Sequence, residues 1–352
     1  MQDFNSAEFK QQELNNCNFV KTILMLIVVL YHSILFWGGG SWFSAEPLDK
    51  ASFFGPVASW FNTFHIYAFT LVSGYLFAYL KYEKNKYKQF VPFAVNKVKR
   101  LIVPYIFVAL CWVIPIATYF FNYSFMDIVD RYVLGTAPSQ LWFLLMLFNV
   151  FLIFWLLADF FEKYDFWGMV VVCLFYCLSI VGNKLIPNYY RIWSAFSFSP
   201  LFFLGLKIRQ KGLSFIYKIP ALVWLIVDIA VFVLFKYVLV GEGIIFSLLS
   251  IGGTFVVTVL GGLTAFVVLQ KLANVFKGWQ TSKFFSLLTE YSMPTFLFHQ
   301  QVIYFFLHFF NGVISPYLLF LINFVGSVLI SMLISFILKK FKVTRFLIGE
   351  KA

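Results

Sequence analysis

The sequence predicts an all-α polytopic membrane protein of about ten transmembrane helices, with both termini cytoplasmic, on three observations. First, 61% of the 352 residues are apolar and only 12% are charged, where a soluble domain carries about 25% charge. The mean hydropathy is +0.85, and a soluble fold leaves roughly a quarter of its unfolded-chain surface wet, too much to hide that apolar area. Second, the apolar residues form continuous runs near the ~20 residues that cross a bilayer as helix, not the ~10-residue alternating segments of a barrel. Third, the cations lie between the runs, mostly on one side.

The runs fall at about 19–38, 57–80, 101–121, 140–160, 167–184, 196–208, 219–239, 244–269, 285–308 and 317–338. The sixth is short for a full crossing. Residues 1–18 are expected to form a cytoplasmic tail, 19–338 a single membrane domain and 339–352 a basic cytoplasmic tail, with no internal repeat. The leader before the first run is polar and acidic, unlike the basic start of a cleaved signal. An inside N-terminus puts Lys10, Lys21, the cluster from Lys81 to Arg100, Lys163, Lys207 to Lys218, Lys271 to Lys283 and Lys339 to Lys351 on inner loops. Only Lys50, Arg131, Lys184, Arg191 and Lys236 remain near the far side, so the positive-inside rule selects this topology.

The net charge of +12 thus reflects anchoring at the membrane. No nucleic-acid partner is expected, because no soluble basic module is present. Cys17, Cys111, Cys173 and Cys177 lie in the N-terminal stretch or inside apolar runs. They are read as free thiols behaving as small hydrophobes.

Ionisable groups at membrane depth are costly and mark function by default. All four histidines (His32, His65, His299 and His308) fall in apolar runs, joined by Asp228 and Glu290. At ~1.5 Å per residue, His32 lies about 17–20 Å up the first helix and His299 about 21 Å up the ninth. His65 comes out about 18 Å above the inner face of a ~30 Å core. These three are expected in one layer, with His308 at the outer end. Histidines in a bundle ordinarily bridge helices, but three at one depth favour a site. No HExxH-type spacing occurs, so no metal is expected.

Eleven residues separate Lys21 from His32. At ~100° per residue both point the same way, about 16.5 Å apart in rise. That matches the reach of a pantetheine arm from its phosphates to its thioester. A cation at the mouth and a proton-transfer residue at depth suit acyl-CoA entering from the cytoplasm; a snorkelling lysine at a helix end satisfies the same spacing.

The stretches "KTILMLIVVLYHS" (Lys21 to Ser33) and "FHIYAFTLVSGYLF" (Phe64 to Phe77) resemble the first two helices of the acyltransferase-3 membrane family. That family comprises polysaccharide O-acetyltransferases, including fucose-4-O-acetylase-like members. The likeness continues through "KVKRLIVPYIF" (Lys97 to Phe107), "LWFLLMLF" (Leu141 to Phe148), "PLFFLGLKI" (Pro200 to Ile208) and "YSMPTFLFHQ" (Tyr291 to Gln300). It covers nearly the whole chain in order. Many members carry Arg eleven positions before the first-helix histidine; Lys21 stands here, as in fucose-4-O-acetylase-like members, and offers a point charge instead of a planar fork. The common His-x-Pro of the second helix reads His65-Ile66-Tyr67, without the proline.

The resemblance implies transfer of an acyl group, most often acetyl, from cytoplasmic acetyl-CoA or another acyl-CoA to a hydroxyl of a cell-surface or lipid-linked carbohydrate. The setting is the bacterial inner membrane, with the lipid bilayer as partner. On it His32 is the general base, or a transient acyl carrier in two-step transfer. His65 and His299 are expected to orient His32 or to donate to the thioester carbonyl as it becomes an oxyanion. Lys21, Ser73, Lys97, Lys99 and Arg100 are the candidates for coenzyme A, the cations through its phosphates. Trp142, Gln140 and Asn149 are the candidates for the acceptor sugar. A polysaccharide exporter or secondary transporter would also put histidines and carboxylates at mid-membrane.

Overall fold

The computed structural model describes residues 7–39, 42–212 and 215–350, and among these the secondary structure is helical throughout. Ten long helices organise it: α1 (Ala7–Leu35), α2 (Phe54–Glu83), α3 (Phe90–Phe121), α4 (Ser139–Leu156) and α5 (Asp165–Leu185), α6 (Ile192–Lys211), α7 (Ala221–Val238) and α8 (Ile244–Val275), α9 (Ser292–Phe310) and α10 (Pro316–Lys339). Eight of them are long and apolar enough to cross a membrane. The two that fall short, α6 and α9, carry polar groups: Ser194, Ser199, Lys207 and Arg209 on α6, and His299, Gln300 and Gln301 on α9, all buried. A helix that turns its polar groups into protein on several sides has no need of an apolar lipid face.

Several boundaries differ from those the hydropathy runs suggest, each for a local reason. α3 starts at Phe90, about eleven residues before the apolar run, because Lys97 is buried with its ammonium 3.4 Å from the Phe151 ring centroid. π-helical turns at Val98–Ile102 and Ala109–Val113 precede Pro104 and Pro115; they absorb residues that lack an N–H donor. The ninth run divides at Tyr291 into Lys283–Glu290 and α9. Pro294 in the first turn of α9 suits a helix start, so a rise counted from residue 285 does not run up one helix. α1 already begins at Ala7, and a short helix follows α10 at Lys342–Leu347. Residues 1–6 and 351–352 of the expected tails lie outside the described residues.

The chain divides into two compact units. The first comprises Met1–Val28, Ser59–Lys86 and Leu201–Glu290. Its core gathers Val20, Leu24, Leu71, Tyr75, Leu201 and Phe266. α2 and α6 cross at two glycines: a Cβ on Gly74 would fall on the Phe202 carbonyl and one on Gly205 on the Leu71 carbonyl. Small residues at a crossing let backbones approach where no hydrophobic drive exists between helices. At one end of this unit a buried polar clamp joins four segments. Arg209 forks onto both oxygens of Glu83 at 2.5 and 2.6 Å and donates to the Lys10 carbonyl and the Tyr75 hydroxyl. Tyr75 and Tyr217 in turn donate to the two oxygens of buried Glu13. Each charge meets an opposite charge or a hydroxyl, the condition for burying it.

The second unit comprises Val29–Ala58, Tyr87–Pro200 and Tyr291–Ala352. Its α9 packs along α10, and Asn323 of α10 donates to the Ser33 carbonyl at 3.4 Å. An aromatic-rich cluster of Phe36, Phe43, Phe120, Tyr304 and Leu307 fills the space beside α9. After α3, Ser124 and Asp127 form a reciprocal capping box that starts a short helix at Phe125. Ser124 holds the Asp127 carboxyl below its usual range by side-chain and backbone hydrogen bonds.

The glycine crossing gives a first test. Gly74→Leu or Gly205→Leu should abolish the monodisperse peak of the detergent-extracted protein in size-exclusion chromatography, since overpacking costs about 1–3 kcal/mol even where side chains can yield. Gly252→Ala, where a Cβ meets nothing within 4 Å, should leave the peak unchanged.

Candidate active site

The second unit brings two of the expected histidines together. His32, in the last turn of α1, and His299, midway along α9, are joined by a 3.1 Å hydrogen bond between His32 Nδ1 and His299 Nε2. His299 is completely buried, whereas His32 is half-buried. The Nδ1 of His299 faces two backbone carbonyls, Phe296 at 2.9 Å and Thr295 at 3.1 Å. A carbonyl only accepts, so this Nδ1 carries the proton and His299 Nε2 presents a lone pair. That lone pair accepts from His32 Nδ1–H. The lone pair of the neutral His32 ring is thereby assigned to Nε2, the pattern of a base held by an orienting partner.

Aromatic and amide groups surround the pair. The Trp42 indole stacks near His32 with centroids 6.0 Å apart and planes 27° apart, and meets Tyr304 edge-on at 5.2 Å. Gln300 donates to the Tyr304 hydroxyl at 2.5 Å, while its own Oε1 is buried without a partner. Gln140 donates to the Leu297 carbonyl at 2.8 Å and to Gln301 Oε1 at 2.7 Å, and Gln301 donates back at 3.1 Å. This matched amide pair fixes the start of α4 to the histidine-bearing stretch of α9. Trp42, Tyr304, Gln300 and Gln301 were missed by sequence reasoning. The pair of glutamines beside His299 inside an apolar run was the available signal; Trp42, in a glycine-rich connection, gave none.

The remaining candidates stand as follows. α1 is unbroken from Ala7 to Leu35, so half-buried Lys21 and His32 do share one helix. His65 belongs to the first unit, where its Nδ1 donates to the Phe61 carbonyl at 2.5 Å. Ser73 bonds back to the Phe69 carbonyl at 2.9 Å, beside Gly74. Lys97 lies among the Tyr87, Phe93 and Phe151 rings, while Lys99 and Arg100 are exposed. Trp142 packs on Phe198 and lies under the Arg191 guanidinium, and Asn149 donates to the Tyr190 carbonyl at 2.7 Å. Asp228, in the first unit, accepts from Trp60 Nε1 at 2.9 Å through Oδ2, leaving Oδ1 buried without a partner. His308 is exposed, against the Phe120 ring. Cys17, Cys111, Cys173 and Cys177 are free. Among the described residues no group of three or more His, Cys, Asp or Glu could hold a metal ion. An apolar groove of about 560 Å³ in the first unit, lined by Phe19, Ile23, Leu269, Leu272, Phe276 and Trp279, offers no titratable group.

Described residues that are helical throughout, eight candidate membrane spans, and an imidazole pair with one ring buried and one half-buried have the make-up of a multi-pass membrane enzyme. The chain belongs to the acyltransferase-3 family: the sequence profile of its acyltransferase domain matches residues 14–340. The protein is therefore an acyltransferase. Neither the curated proteins nor the solved structures give a significant match.

The amide pair is open to a direct check. Gln301→Ala leaves Gln140 short of its buried partner and should cost about 1–2 kcal/mol in thermal unfolding. Replacing both glutamines with Leu should recover part of that loss, because no unmatched amide then remains.

Proposed function

We propose that this acyltransferase moves an acetyl group from cytoplasmic acetyl-CoA to a hydroxyl of a cell-surface or lipid-linked carbohydrate in a bacterial inner membrane. The topology proposed with it is ten spans, counting α6 and α9, with both termini cytoplasmic; the inner-loop lysines support it. The single observation that carries the chemistry is the hydrogen bond from His32 to His299.

In this reading His32 Nε2 takes the proton of the acceptor hydroxyl as its oxygen attacks the thioester carbonyl carbon. The carbon–sulfur bond then breaks, and the coenzyme thiolate leaves with the proton returned from His32. The products are an ester and a free thiol, and no net proton is gained or lost. His299 keeps His32 in the right tautomer and shares the charge of the imidazolium, the part an orienting residue plays in a catalytic triad. His65, whose Nδ1 proton is held by the Phe61 carbonyl, is retained as a second candidate for orientation through its Nε2 lone pair.

Lys21 is proposed to meet the coenzyme phosphates at the cytoplasmic mouth, with Lys99 and Arg100, whose exposure supports that role. The aromatic box around Lys97 favours a positioning role for its ammonium, at the point where α3 enters. Ser73 is proposed beside the coenzyme channel. Trp142, Gln140 and Asn149 are proposed on the acceptor side, Gln140 by holding α4 in place and Trp142 as a stacking face for the sugar.

Mass spectrometry of the cell-surface glycan tests the reaction. His32→Ala should remove the acetyl-sized mass increment, with transfer down by about 10²–10⁴-fold, the usual contribution of a general base. His299→Ala should lower it by a smaller factor. Full acetylation in His32→Ala at normal membrane abundance would overturn the assignment. Donor binding is tested separately on the solubilised protein: acetyl-CoA at about 100 times its Kd should raise stability by about 2.7 kcal/mol, and Lys21→Glu should reduce that gain.

A further inference from the structure

Arg191 meets no opposite charge among the described residues. It sits in the turn between α5 and α6, half-buried, and forms no ion pair among the described residues. One terminal nitrogen donates to the Thr136 carbonyl at 2.6 Å, and the guanidinium carbon lies 5.2 Å from the Trp142 ring centroid. Its Nε is buried without a partner. A guanidinium stays charged at any physiological pH, and removing it from water without a counter-charge is costly.

The backbone goes out of its way to hold this cation. Tyr190 and Arg191, neither of them glycine, both adopt left-handed φ values of 50° and 61°. Such residues persist only where their surroundings over-determine them. Here Tyr190 N–H bonds the Leu134 carbonyl at 2.7 Å and Asn149 bonds the Tyr190 carbonyl. Gly135 leaves room for the approach, since a Cβ there would press on the Tyr190 backbone.

Arg191 touches a connection that is itself tied to the interior of its unit. That connection, residues 134–141, docks through Gln140 on the middle of α9, at Leu297 and Gln301. Just before it, the Tyr132 carbonyl accepts from Tyr105, in the middle of α3, at 2.6 Å. A half-buried cation with no ion pair among the described residues, bonded to the connection that docks beside His299, is suited to an anion delivered by a ligand.

We propose that Arg191, backed by Trp142, is an anion subsite for the acceptor and takes the carboxylate or phosphate of an acidic sugar. The proposal rests on the reading of the chain as a carbohydrate O-acyltransferase. Arg supplies planar donors that match either oxyanion, and the Trp142 ring beneath the guanidinium holds it in place. The acidic group is then gripped beside the start of α4.

The test measures thermal stabilisation of the full-length protein in phosphatidylcholine nanodiscs by methyl glucuronide, glucose 6-phosphate and methyl glucoside. At least one acidic sugar should bind about tenfold tighter than the neutral one. Arg191→Gln should erase the difference, and Arg191→Lys should keep part of it. Equal binding of acidic and neutral sugars by the unaltered protein would overturn the proposal without any variant. So would an acid preference that survives Arg191→Gln, or stabilisation that needs phosphatidylglycerol and no sugar, which would assign the cation to a lipid headgroup. His32→Ala should keep the acid preference while losing transfer, so a failure here is separable from a failure of the base assignment.

Discussion

The site depends on one constraint: a neutral imidazole has one proton and one lone pair on its two nitrogens. Two backbone carbonyls of α9 claim the His299 proton, and every later assignment follows. His299 can then only accept on its other nitrogen, so His32 must donate from Nδ1 and present Nε2 as the basic atom. Had His299 faced a donor instead, the tautomer of His32 would reverse and its Nδ1 would hold the lone pair against the protein. Half-burial of His32 against full burial of His299 gives the same division of labour: one ring can be reached and the other braces it.

That bracing has structural consequences. A helix that buries His299, Gln300 and Gln301 must be surrounded by protein, because unmatched polar groups in hydrocarbon cost several kcal/mol each. α9 meets this with α10 along one side, the Gln140–Gln301 amide pair on another and the aromatic cluster around Tyr304 on a third, leaving Gln300 Oε1 unmatched. In the first unit the same economy of buried polarity appears in the clamp built on Arg209, where two carboxylates and two phenols satisfy one another. The Gly74–Gly205 crossing supplies close packing there instead of charge.

Much of the architecture was legible in the sequence because hydropathy alone reports long lipid-compatible helices, and eight of the ten runs correspond to helices that meet that criterion. The other two, α6 and α9, also showed as apolar runs at 196–208 and 285–308 but fall short of that criterion, because their polar residues face protein. The start of α3 was hidden because a lysine reads as an aqueous residue, and only tertiary contact shows Lys97 lying on aromatic rings. The depth reading placed His32 and His299 near one another although the His299 rise was counted across a helix break at Tyr291, and it gave no hint of their tautomers, which depend on the carbonyls of Thr295 and Phe296. Arg191 looked like an ordinary outer-loop cation. Its significance comes from a left-handed turn and from the lack of an ion pair among the described residues, neither of which spacing reveals.

The tautomers themselves are the most direct test of the account. The chain has only four histidines, so 15N solid-state NMR of the histidine-labelled protein in lipid, with single His→Gln variants for assignment, can read each ring nitrogen. The account requires both His32 and His299 to be protonated on Nδ1, with an unprotonated Nε2 on each, in the absence of substrate near neutral pH. A proton found on His32 Nε2, with Nδ1 bare, would contradict it.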